Sequence, residues 1–261
     1  MRWVGLIACC MMSIRVFSQG YSDAAQTALA GSNVVSLANG IQHLNPAAIT
    51  QIKKRKIGFS QALPYSISEI RYNSAFYLFS RKNNYVAFDY NHLSFDAFTD
   101  HTFSIVYAKK LNEKLSLGVK IKYNFIRVEL NNYHKVMPEI GLIYRVNKYV
   151  DFGTYWSQSQ SLLEFRQWQS SIKSGVIFKK IKKLPIYVST EINSNAEIFI
   201  KSGFEYHVTE RLFSRIALST EDSYLSFGIF YKLKRVEIEF ANSMHKYLGV
   251  SPCMTISYEL N

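Results

Sequence analysis

The sequence has almost no cysteine: two of its three stand at Cys9 and Cys10, and only Cys253 lies beyond residue 19. A framework of internal disulfides is therefore excluded for the chain that follows its leader. Beyond residue 19 there is no run of eighteen consecutive apolar residues, which rules out a transmembrane helix. No serine-, glycine- or proline-rich linker, low-complexity tract or abrupt shift of composition divides the chain, so it reads as one domain. Motifs that carry chemistry are missing as well: there is no P-loop, no Cys-x-x-Cys and no His-Glu-x-x-His. His43, His92, His101, His134, His207 and His245 are scattered, with no pair at metal-ligand spacing. Asp96, Asp100 and His101 share one expected loop and are the best catalytic candidates, but a solvated loop tip accounts for them better. The expectation is a non-enzyme without metal or cofactor.

What is present begins with a leader. Arg2 gives a positive start, Trp3 to Met12 is apolar but too short to span a membrane, and Ser13 to Gln19 turns polar. Residues 1–19 read as a secretory signal peptide cut near Ser18 or Gln19. Leu6-Ile7-Ala8-Cys9 also fits a lipoprotein signal with Cys9 lipidated, but only eight residues precede that cysteine, too few for an ordinary apolar core. Acid is scarce in the rest. Its 242 residues hold 29 Lys and Arg against 19 Asp and Glu, a net charge of +10. That balance suits an acidic partner or lipid phosphate, and export makes nucleic acid a poor candidate.

From about Lys56 onward the hydrophobic period is two. Leu115, Leu117, Val119, Ile121, Tyr123 and Phe125 alternate with Ser116, Gly118, Lys120, Lys122 and Asn124. Similar runs predict fourteen strands: 57–63, 67–79, 85–94, 102–110, 115–129, 136–146, 149–157, 168–179, 185–193, 197–207, 212–220, 223–233, 236–243 and 250–260. Each is close to the length of a tilted membrane strand. A soluble β-sandwich alternates too. Long, closely spaced strands, 36 Phe and Tyr, and the export signal favour a closed outer-membrane β-barrel that turns its apolar face to lipid. The expected division is 20–55 as an N-terminal plug segment and 56–261 as an all-β, antiparallel barrel in a Gram-negative outer membrane.

The polar face carries its own signal. Gly118, Gly141, Gly153, Gly175, Gly203 and Gly228 fall mid-strand on that side, where glycine marks a bend or a close approach of other backbone. Arg71, Lys120, Lys122, Lys173, Lys201 and Arg215 stand there with Glu69, Asp89, Glu139, Asp151, Glu191, Glu205, Glu237, Glu239 and Glu259. Mixed charge of this kind suggests a filled lumen rather than a single-sign ion filter. Ahead of the strands, Gly31 breaks a small-residue stretch, and Asn45-Pro46 can open a short helix through Ala47. This segment is expected to tuck into the barrel.

Six expected periplasmic turns should be shorter than the outer loops, which include 94–101, 130–135, 158–166 and 241–249. Those turns and residues 53–56 hold 19 of the 29 basic residues. They include Lys53, Lys54, Arg55, Lys56, Lys109, Lys110, Lys179, Lys180, Lys182, Lys183, Lys232, Lys234 and Arg235. Such a rim suits outer-membrane lipid headgroups, or an acidic partner.

Gly31-Ser32-Asn33-Val34-Val35-Ser36-Leu37-Ala38 followed by Leu44-Asn45-Pro46-Ala47-Ala48-Ile49 resembles the N-terminal signature of the FadL-type outer-membrane barrels. More narrowly it resembles the PorV/PorQ branch, associated with type IX secretion. Tyr247-Leu248-Gly249-Val250-Ser251 with Thr255-Ile256-Ser257-Tyr258 resembles the last hairpin of that branch. The resemblance implies fourteen strands around an N-terminal segment that occludes the lumen. Two departures stand out: Ala48 follows the Asn-Pro-Ala, and Asn39 replaces the acidic residue before it. The leading expectation is an accessory subunit of a larger outer-membrane complex, in type IX protein secretion. The alternative is a FadL-like passive channel for small hydrophobic molecules.

Overall fold

The computed structural model describes residues 23–37, 45–129, 131–160 and 168–260. The leader 1–19 with Cys9, and Asn39 in the plug motif, lie outside the described residues. Fourteen antiparallel strands close into one barrel, β1 pairing both β2 and β14. The first seven are β1 (Lys56–Ala62), β2 (Arg71–Arg81), β3 (Asn84–Phe95), β4 (Phe98–Lys110), β5 (Leu115–Val128), β6 (Asn131–Arg145) and β7 (Val150–Gln160). The rest are β8 (Trp168–Phe178), β9 (Ile186–Asn193), β10 (Ile198–His207), β11 (Leu212–Ser219), β12 (Ser223–Leu233), β13 (Val236–His245) and β14 (Gly249–Glu259). Every strand pairs with its sequence neighbours, so closure leaves no open edge.

Alternation sets which way each side chain points. On β5, Leu117, Val119, Ile121 and Tyr123 are exposed on the outer wall while Gly118, Lys120, Lys122 and Asn124 are buried on the inner one. The outward set continues around the barrel through Phe103, Ile105, Val136, Ile140, Ile172, Ile200, Ile216, Ile229 and Phe240. A wall of this composition is stable against lipid, and the closed ladder satisfies the backbone there.

The connections correct one expectation. At the end where β1 starts and β14 finishes, here the terminal end, they run from two to seven residues, and at the far end from two to eight. No long outer loops distinguish the far end. Strand pairing instead extends through the polar stretches assigned to loops. β3 and β4 meet in a two-residue turn at Asp96 and Ala97, closed by stacking of Phe95 on Phe98 at 5.1 Å. β6 starts at Asn131 rather than near 136, pairing Asn131 with Val128. Polar side chains at a barrel mouth stay solvated without leaving the ladder, so they do not end a strand.

The longest far-end connection folds back over its neighbours. Tyr65 N–H donates to Ser251 Oγ at 2.8 Å and Ser66 Oγ to the Val250 carbonyl at 2.9 Å. Glu69 and Arg71, assigned to the lumen, are exposed at this connection and the start of β2. They project from the mouth, where water reaches both.

Candidate functional site

The lumen holds the N-terminal segment. Helix α1 (Ala24–Ala28) is buried along its whole length, and Asp23 caps it by accepting the Gln26 N–H at 2.9 Å. Ala24 N–H donates to Thr255 Oγ1 on β14 at 2.9 Å, which fixes the helix to the wall. Gly31 then takes the left-handed backbone, φ 71°, that lets the chain turn out of the helix. A second short element, Pro46–Gln51, follows the undescribed stretch 38–44. It is a 3₁₀ helix rather than an α-helix. Asn45 Oδ1 accepts from Ala47 N–H at 3.0 Å, and proline occupies the first turn.

Asn45 does a second job. Its Nδ2 donates to the carbonyls of Leu142 at 3.1 Å and Thr154 at 3.3 Å, one on β6 and one on β7. One fully buried amide thus caps the helix and ties it to two strands. The two halves of the segment are also tied together. Gln51 Nε2 donates to the Val35 carbonyl at 2.5 Å, and Leu37 N–H to Gln51 Oε1 at 3.1 Å.

Gly118, Gly141, Gly153, Gly175, Gly203 and Gly228 all lie under this segment, in an order that follows it. A methyl at Gly228 on β12 would sit 2.6 Å from Ala28 Cβ. At Gly203 on β10 it would meet Ser32 Oγ at 3.1 Å, and at Gly175 on β8 Val34 Cβ at 3.0 Å. At Gly153 on β7 it would lie 3.2 Å from Val35 Cγ2. At Gly141 on β6 it would lie 2.0 Å from Asn45 Oδ1, and at Gly118 on β5 2.4 Å from the Pro46 carbonyl carbon. Gly118 and Gly141 are direct cross-strand partners, and so are Gly153 and Gly175. Each pair makes a flat, side-chain-free floor on the inner wall. The segment therefore runs along the wall from β14 and β12 to β5, opposite to strand order, in a shallow track of glycines.

Along that track lies an apolar layer inside the barrel. Leu29, Val34, Val35, Ala47, Ile49 and Ile52 of the segment pack with Leu78, Val106, Ile143 and Ile177 of the strands. Charged side chains occupy the inner wall around it, and most are paired. Glu139 takes Lys120 at 2.7 Å and Lys122 at 2.5 Å. Glu191 takes Lys173 at 3.1 Å and Lys201 at 3.3 Å, and Lys201 reaches Glu221 at 2.9 Å. Arg215 bridges Glu205 at 2.7 Å and Glu239 at 2.8 Å. Asp89, also buried, accepts from Asn91. Pairing is what allows these charges to be held away from bulk water.

The basic rim gathers at the terminal end but is not uniformly available. Glu259 binds Lys54 at 3.2 Å and Lys232 at 2.5 Å. Glu237 binds Lys56 at 2.5 Å and Lys232 at 2.9 Å, and Asp151 binds Lys179. Lys110 is half-buried over Tyr85 at 5.4 Å. Lys53, Arg55, Lys109, Lys180, Lys182, Lys183, Lys234 and Arg235 are exposed. The catalytic candidates do not converge. Asp100 faces inward, bonded by Thr102 and Asn124, while His101 faces outward between Tyr90 and Phe125. Adjacent residues of one strand point to opposite walls, so this pair cannot act together. Among the described residues there is no cluster of three His, Cys, Asp or Glu that could hold a metal ion.

No protein-family model matches the chain, and no curated protein matches it in sequence. Solved structures do match in fold. The Ralstonia pickettii toluene transporter TbuX aligns with a TM-score of 0.71 at 8% identity, over 94% of this chain and 100% of that one. The CymD monoaromatic hydrocarbon channel aligns at 0.69 and 10% identity, over 94% and 99%. A Pseudomonas aeruginosa FadL homologue aligns at 0.61 and 10% identity, over 92% and 98%. The fold is that of the FadL-type barrels. TbuX is a toluene transporter and CymD a monoaromatic hydrocarbon channel, which overturns the accessory-subunit reading in type IX secretion in favour of its alternative. The rim that motivated docking is partly neutralised by Glu237, Glu259 and Asp151.

Proposed function

We propose that the chain is a passive outer-membrane channel for small hydrophobic molecules, with the N-terminal segment as its plug. The observation that carries this is the apolar layer inside the barrel. A water-filled pore has a polar interior. Here Leu29, Val34, Val35, Ile49 and Ile52 meet Leu78, Val106, Ile143 and Ile177 in the lumen. An uncharged apolar solute crosses such a layer at low cost, whereas a hydrated ion loses water there without compensation. The solutes of two structural neighbours, toluene for TbuX and monoaromatic hydrocarbons for CymD, are of the class that such a layer fits. Outer-membrane placement follows from the same likeness and from the apolar outer wall. The Asn45-Pro46-Ala47 motif and the closing hairpin support placing the barrel near the PorV/PorQ branch in design, without that branch's secretion role.

The test removes residues 24–50. The shortened chain should still run as a heat-modifiable barrel and should pass a small aromatic hydrocarbon into vesicles faster than the full chain. A folded barrel whose flux is unchanged by the deletion would overturn the plugged-channel reading.

A further inference from the structure

The two ends of the barrel differ in charge far more than in loop length. At the terminal end, residues 53–56, 81–82, 109–114, 145–151, 179–183, 208–211, 232–237 and 259 hold nineteen Lys and Arg against five Asp and Glu. At the far end, residues 63–71, 94–100, 127–129, 131–135, 194–197, 219–222 and 246–249 hold four basic against seven acidic. Five of the nineteen, Lys54, Lys56, Arg145, Lys179 and Lys232, meet the carboxylates at their own end. Among the described residues, Lys180, Lys182 and Lys183 have no acidic partner, and all three are exposed.

These lysines sit at the lip of the apolar wall. Ile181, within the same turn, is 58% exposed, and Phe178 and Ile186 at the adjoining strand ends are exposed as well. Next along the wall, Lys148 lies 4.9 Å over Tyr149, and across the barrel Arg55 lies 5.0 Å over Phe79. Cations at the margin of an apolar band, some seated on aromatic rings, match the boundary where acyl chains give way to phosphate. A soluble acidic protein would need no apolar side chain among the lysines. We infer that the terminal rim binds anionic phospholipid, with Lys180, Lys182 and Lys183 taking the phosphate and Phe178, Ile181 and Ile186 lying against the acyl chains. The inference rests on the membrane placement and is independent of what the lumen conducts. At the far end Arg127 lies over Phe125 and Lys246 over Tyr247. Among the described residues, however, no cluster of adjacent lysines like Lys180, Lys182 and Lys183 stands there, and acidic residues outnumber basic ones. The stronger lipid preference is therefore expected at the terminal rim.

The experiment uses the full protein in nanodiscs of mixed phosphatidylethanolamine and phosphatidylglycerol, with retained lipid counted by native mass spectrometry. Phosphatidylglycerol should be enriched above its input ratio. The combined variant Lys180→Gln, Lys182→Gln, Lys183→Gln should lose that enrichment, by about fivefold per lysine at low salt and less at high salt. The far-end variant Arg71→Gln, Lys246→Gln should keep it, and both should remain heat-modifiable. Absence of enrichment in the wild type, or equal loss in the far-end variant, would overturn the site. Displacement of the lipid by inorganic phosphate at constant ionic strength would mark a plain anion site and overturn the lipid assignment. Failure of the protein to enter nanodiscs would overturn the membrane placement itself, a result distinct from an inserted barrel with no lipid preference.

Discussion

Filling the glycine track should expel the plug without harming the barrel. Gly118 and Gly141 are the positions to fill, because they lie beneath the tightest part of the segment and neither has a left-handed backbone that alanine would strain. A Cβ at Gly141 falls 2.0 Å from Asn45 Oδ1 and 2.8 Å from Pro46 Cδ. A Cβ at Gly118 falls 2.4 Å from the Pro46 carbonyl carbon and 2.5 Å from Ala47 N. Ordinary contact needs well over 3 Å, so the segment must shift by roughly an ångström, and overpacking of this kind costs about 1–3 kcal/mol. The strand ladder is untouched, because alanine keeps its backbone hydrogen bonds. The cost falls on the seated state of the plug alone, and the displaced fraction rises about fivefold to 150-fold. Gly153→Ala serves as the control, since its nearest new contact is 3.2 Å. The assay is hydrocarbon flux into vesicles together with protease cleavage within residues 24–51. Gly118→Ala and Gly141→Ala should raise both, Gly153→Ala should change either only slightly, and all three should keep the wild-type heat-modifiable band. Wild-type flux and cleavage in the Gly118→Ala and Gly141→Ala variants would refute the account of the track.

Asn45→Ala removes the cap of the 3₁₀ helix and both bonds to the Leu142 and Thr154 carbonyls, a loss of about 1–3 kcal/mol from the seated plug, read as faster hydrogen exchange over residues 46–51. Arg215→Met leaves Glu205 and Glu239 without their shared cation, so barrel stability should fall by about 3–5 kcal/mol in urea titration, with most of it restored by adding Glu205→Gln and Glu239→Gln. Lys120→Met should cost less than Arg215→Met in the same titration, because Lys122 still holds Glu139. Ile105→Lys places a charge mid-strand on the outer wall, which costs about 2–4 kcal/mol in lipid and should impair membrane assembly; undiminished assembly would mean that this wall does not face hydrocarbon.

The strands were legible because a barrel wall imposes period two on every residue between its mouths. Ile121 and Lys122 separate outer from inner wall by sequence position alone. The same logic marked Gly118, Gly141, Gly153, Gly175, Gly203 and Gly228 as inward, since glycine on a polar face has no side chain to solvate. What could not be read was register across the sheet. That Gly118 faces Gly141, and Gly153 faces Gly175, depends on pairing set by hairpins elsewhere, so neither the floors nor the plug's path could be drawn. Asn45 could be read as a cap, but not as a donor to strands about a hundred residues away. Loop lengths misled because polarity does not end a strand at a solvated mouth, as Asn131–Lys135 shows. The accessory-subunit expectation rested on two short motifs and the basic rim, and charge counted along the sequence does not reveal that Lys54, Lys56, Lys179 and Lys232 already have partners.

The measurement that tests the central claim most directly compares two solutes in vesicles holding the purified, full-length barrel. One is a small aromatic hydrocarbon and the other an uncharged sugar of similar size. The account predicts saturable hydrocarbon flux well above protein-free vesicles and sugar flux at background. Equal passage of both solutes, or of neither, would contradict it.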